Sequence, residues 1–134
     1  MIGRRRASVP ADLRARLERA RVETLALLRT LDQLALAPRD LPHAALTHLA
    51  ALDADCAEAL WTLDQPRRAI DFAAMVRDSL ASLDALADAR AHVRIGVPAA
   101  RRPHLQRLEP LIRATIDPRE AYNDVPAIRD PQNR

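Results

Sequence analysis

Asp84, Asp88 and His92 stand four residues apart, the spacing that lines one edge of a helix. Two carboxylates and an imidazole on such an edge are the raw material of a divalent-metal site. They could equally form an acid–base pair in which Asp88 orients the His92 ring. One helix supplies only part of a metal site, however. Helical di-metal sites add Glu-x-x-His pairs from further helices, and this chain contains none. The three residues therefore read as a solvated edge opposite Leu83 and Leu86. No catalytic residue, metal ligand or cofactor is assigned.

The remaining reactive side chains point the same way. His43 and His48 are five residues apart, which does not place both on one helix face. Cys56 lies between Leu52 and Leu60 on an apolar helix row, with Asp53 and Asp55 close by in sequence. A reactive thiol needs an electropositive, accessible setting, so a buried and inert one is expected here.

The basic residues raise a different possibility. All 21 of them are arginine, yet 18 carboxylates leave a net charge of only +3 despite a pI near 10.3. Residues 1–36 carry 8 arginines against 4 acids, residues 37–96 carry 6 against 9, and residues 97–134 carry 7 against 5. Basic ends thus flank an acidic middle, a pattern that suits packing within the chain or pairing of two copies. Arg4, Arg5, Arg6, Arg14, Arg21, Arg101 and Arg102 are the candidates for gripping nucleic-acid phosphates. Single-strand binders also offer stacking rings, and this chain has one Trp, one Phe and one Tyr. No helix-turn-helix or zinc-finger spacing is present.

The elements that must position these groups are helices. In Pro10–Leu36, Leu13, Leu17, Ala20, Thr24, Leu27, Leu31 and Leu34 form one seam in steps of three and four. The first half of that seam is narrow and flanked by Arg14, Glu18, Arg19 and Arg21. The second half, around Thr24–Leu28, is apolar nearly all round. The second half is expected at the centre of the fold and the first half nearer the surface. Met1–Ser8 reads as a flexible basic arm, with the helix beginning at Ser8–Pro10.

A second helix is expected from a cap at Asp40, with Pro42 in its first turn, to about Leu63. Its main face is Leu49, Leu52, Cys56, Ala59, Leu60 and Leu63. A second strip of Ala50, Ala54, Ala57 and Trp61 would be sandwiched or held for a partner. Pro66 should open a third helix with a row Phe72, Val76, Leu80, Leu83 and Leu86. That row fades where Arg90 falls on its line, and Gly96 with Pro98 stops it. In the fourth helix Leu105, Leu108, Ile112 and Ile116 keep helical spacing, but Pro110 should kink or split it. Residues 123–134 have no period and form a tail with Val125 and Ile128 as possible anchors.

The fold expected is all-α and four-helix bundle-like, with a kinked or split fourth helix and an irregular C-terminal tail. Residues 1–8 are the arm, 9–122 the helical domain and 123–134 the tail. No apolar run is long enough to span a membrane, the N-terminus lacks the apolar core of a signal peptide, and one cysteine suits a reducing, cytoplasmic setting. The function expected is non-catalytic protein–protein interaction, by self-association or as an accessory subunit. Leu13, Arg16, Leu17, Ala20, Trp61, Val125 and Ile128 are its interface candidates. Nucleic-acid binding through the arginines is the alternative.

Overall fold

The structure, a computed structural model, describes residues 2–66 and 71–117. Four α-helices make up almost all of them: α1 (Ile2–Leu34), α2 (His43–Leu63), α3 (Phe72–Gly96) and α4 (Arg102–Thr115). No strand occurs among the described residues. Short 3₁₀ turns at Pro38–Asp40 and Ala99–Arg101 make two of the corners.

Cross-links between helices give their directions. Arg14 meets Asp64 and Arg21 meets Asp53, so α2 returns antiparallel to α1. Gly96 at the end of α3 lies against Pro42 at the start of α2, which makes those two antiparallel. Arg94 meets Glu109, and Arg101 reaches the carbonyl of Leu34, so α4 runs back along α3 and α1. The result is an up-down-up-down, bundle-like arrangement in which α1 packs against all three other helices.

α1 is 33 residues and about 50 Å long. It begins at Ile2 and takes in the segment expected as an arm. Helix therefore precedes Pro10, whose missing N–H leaves the Arg6 carbonyl without its usual partner. The seam is buried over its whole length: Leu13, Leu17, Ala20, Leu27, Leu31 and Leu34 join Leu46, Leu49, Cys56, Leu60, Leu83, Leu86 and Val93 in one cluster. The N-terminal half of the seam is thus not near the surface, as its narrow stripe had suggested. α2 and α3 close over it from both flanks, so a narrow stripe suffices. On the side of α1 turned away from the seam, Val22, Leu25 and Ala26 bury against Ile112 and Ile116 of α4. The middle of α1 is therefore apolar nearly all round because it is enclosed from two sides. Thr24 and Thr30 are fully buried there, and each donates its hydroxyl to the carbonyl four residues back, at 2.8 and 2.7 Å.

The ends differ in detail from the sequence expectation. α1 ends with Ala35 in the left-handed region (φ 50°), a position usually held by glycine. Asp40 lies in the 3₁₀ turn and does not cap α2, which starts behind Pro42. α3 starts later than Pro66, at Phe72, because Asp71 caps it by accepting from the Ala74 N–H at 3.1 Å. Gly96 does end α3, but with no positive φ. Its lack of a side chain serves close approach, since an added Cβ would sit 2.5 Å from Cβ of Pro42.

α4 runs unbroken through Pro110 and is not split there. Pro110 and Gln106, whose carbonyl loses its helical partner, are both exposed, on the side of α4 turned to solvent. The tail, with Val125 and Ile128, lies outside the described residues, as does Tyr122 before it.

Candidate functional site

The middle of the molecule holds a charged layer that sequence reading did not assemble. Arg21 on α1 and Asp53 on α2 are both almost fully enclosed, with Nε and Oδ1 3.4 Å apart. Their helices present them to each other because Arg21 stands beside the seam of α1 and Asp53 beside the main apolar row of α2. Nearby, Arg90 of α3 donates to Glu23 at 3.0 Å, to the Ala20 carbonyl at 3.3 Å and to the Thr24 hydroxyl at 3.4 Å. Arg90 falls on the apolar line of α3, and its burial pulls the guanidinium below its usual range against the opposing pull of Glu23. The layer binds α1 to α2 and α3 at one level. Its charges are directed at one another.

Cys56 sits beside this layer. Burial first, then the charge of Asp53, pushes its thiol from 9.0 up to about 12. It therefore holds its proton at neutral pH, and only the thiolate is a good nucleophile. The sequence expectation of a buried thiol agrees with its place in the core.

Asp84, Asp88 and His92 lie exposed along α3. His92 donates from Nδ1 to the backbone carbonyl of Asp88 at 2.8 Å, not to its carboxylate. Among the described residues no group of three or more His, Cys, Asp or Glu side chains is close enough to hold a metal ion. His43 donates from Nε2 to the Pro38 carbonyl at 2.7 Å and so belongs to the corner before α2.

Four of the seven arginines expected to grip phosphates are engaged within the molecule. Arg14 pairs with Asp64 and Arg21 with Asp53, which removes Arg21 from the surface altogether. Arg101 donates to the last carbonyl of α1, that of Leu34, and Arg102 donates to the carbonyls of Ile95 and Val97 at 2.7 and 3.0 Å. Both tie helix C-termini, where the carbonyls lack partners and the dipole favours cations. Arg4, Arg5 and Arg6 lie on the first turns of α1, and their side chains fall outside the described set.

The interface candidates separate in the same way. Leu13, Leu17 and Ala20 are enclosed in the chain's own core, so their expected place at an interface is corrected. Arg16 remains exposed. Trp61 is 58% exposed near the end of α2, and Ile95 and Leu111 are each 65% exposed on α3 and α4. Ile95 and Leu111 were not singled out from sequence. Leu111 follows Pro110 directly and is offset from the Leu105–Ile112 face, which was the available signal.

Compared with protein-family models, with curated proteins and with solved structures, the chain matches none. No helix among the described residues is long and apolar enough to cross a membrane.

Proposed function

We propose that this chain is a non-catalytic interaction module that presents helix faces to a protein partner, a second copy included, in a reducing cytoplasmic setting. The observation that carries this reading is Trp61. A molecule that encloses nearly every leucine of α1 and α2 leaves its one tryptophan 58% exposed. A large ring held in water is unfavourable by up to about 2–3 kcal/mol relative to burial, and tryptophan is enriched at the centres of protein interfaces. The enclosed charges and the protonated thiol of Cys56 support the absence of a catalytic role. The internal engagement of Arg14, Arg21, Arg101 and Arg102 favours this reading over phosphate binding.

Because Trp61 is the sole tryptophan, its emission reports directly on its environment. Light scattering on protein purified without nuclease, read with the 260/280 nm ratio, gives mass and nucleic-acid content together. The expected outcome is association, with self or with a copurifying protein, accompanied by a blue shift of the emission that Trp61→Ala weakens. A monomer at high concentration, with solvent-like emission and no copurifying protein, would sink the proposal.

A further inference from the structure

We propose that the outer face of α4 docks on the outer face of α2 of a second copy of this chain, head to tail; this rests on the interaction reading above. The two faces are opposite in charge. α4 exposes Arg107 and Arg113, while its only acid, Glu109, is buried against Arg94. α2 contains no arginine or lysine at all and exposes Asp55 and Glu58.

They also match in shape of pattern. Arg107, Leu111 and Ala114 fall in steps of four and three along the outside of α4, and Ala51, Asp55 and Glu58 do so along α2. Each face has one exposed apolar side chain beside its charges, Leu111 on one and Trp61 on the other. A polyphosphate would answer Arg107 and Arg113 but leave Leu111 in water. An acidic helix carrying a tryptophan answers both, as an interface with an apolar centre and a charged rim does.

The contact is heterologous. α2 packs on the seam side of α1, while the far half of α4 packs on Val22, Leu25 and Ala26 on the other side. The two outer faces therefore point apart, one pair of molecules leaves one face of each kind unsatisfied, and assembly can continue. Exposed charges dominate the rim, so the contact weakens with salt over the range in which the screening length shortens.

The test uses the full chain in sedimentation velocity at low ionic strength. Wild type is expected to grow in mass with concentration, with apparent Kd rising at least tenfold between about 20 and 300 mM salt. Arg107→Glu/Arg113→Glu and Asp55→Arg/Glu58→Arg are each expected to be monomeric alone. Mixed one to one, they should associate again, because the intact α4 face of one meets the intact α2 face of the other and the two reversed faces are again opposite in charge. Leu111→Ser, at a solvent-exposed position, should weaken growth without altering the helical circular dichroism.

Self-association that both charge reversals leave unchanged would overturn this surface while leaving the interaction reading standing. A wild type that stays monomeric but blue-shifts its Trp61 emission with another protein would do the same. A wild type that stays monomeric and holds nucleic acid, released by Arg107→Glu/Arg113→Glu, would overturn both.

Discussion

α1 is held differently on its two sides. On the seam side, leucines from α1, α2 and α3 form one large cluster around the Arg21–Asp53 pair and the Arg90–Glu23 bond. On the α4 side the apolar cluster is small, Val22, Leu25, Ala26 and Ile116 with Ile112 beside them, while the near half of α4 reaches the large cluster through Leu105 and Leu108. Polar contacts add to it: Arg94 of α3 forks onto the buried Glu109 at 2.8 and 3.1 Å, and Arg101 ties the end of α1. Burial of apolar area is the stronger and less salt-sensitive glue. The difference teaches that the seam side is the stable unit and that the far half of α4, packed on the small cluster, is the more separable part.

The largest effect is expected where a charge would be stranded. Asp53→Asn leaves Arg21 enclosed without its carboxylate and should destabilise by about 3–5 kcal/mol in denaturant titration. Replacing both residues with apolar ones of similar size should cost far less, and an equal loss would mean the pair is not the cause. Next, Leu27→Ala in the large cluster should cost about 3–4 kcal/mol and Ile116→Ala in the small one about 2 kcal/mol. Amide exchange sharpens the contrast. Ile116→Ala should speed exchange in α4 while leaving α2 protected, whereas Leu27→Ala should lower protection throughout.

Glu109→Gln, which weakens the fork from the part-exposed Arg94, should cost about 1–2 kcal/mol and likewise act mainly on α4 exchange. Cys56 offers a titration of the seam side. Its thiol is raised in the folded chain from 9.0 to about 12, so the folded state holds a proton that the unfolded state releases between those values. Stability contributed by the neutral thiol is full below pH 9 and falls as pH rises toward 12. Cys56→Ala should flatten that alkaline slope in melts compared with wild type. The smallest effect is Ala35→Gly. Relief of the left-handed strain outweighs the added freedom of the unfolded chain, and a stabilisation of roughly 0.5 kcal/mol is expected from the melting temperature.

Several features were legible in the residues. The period of Leu13–Leu34 specifies a buried helix because a side chain every three or four residues returns to one face. The end at Gly96 and the misfit of Arg90 on an apolar line were visible as well. The start of α3 was misplaced because Pro66 stands close to Asp71, and only the bond to the Ala74 N–H distinguishes the working cap. The split expected at Pro110 did not occur, because its consequence depends on which side of α4 faces water.

By itself the sequence determined that this chain is helical, where its apolar faces lie, and that its charge alternates between basic ends and an acidic middle. Those are local properties, set by period and composition. Only the tertiary structure decided that Leu13, Leu17 and Ala20 face inward, that Arg21 is enclosed with Asp53, and that Trp61 and Leu111 face outward. The reason is geometric: a helical period names a face but not the neighbour it meets. The outer faces of α2 and α4, opposite in charge and turned away from each other across α1, exist only once that choice of neighbours is made.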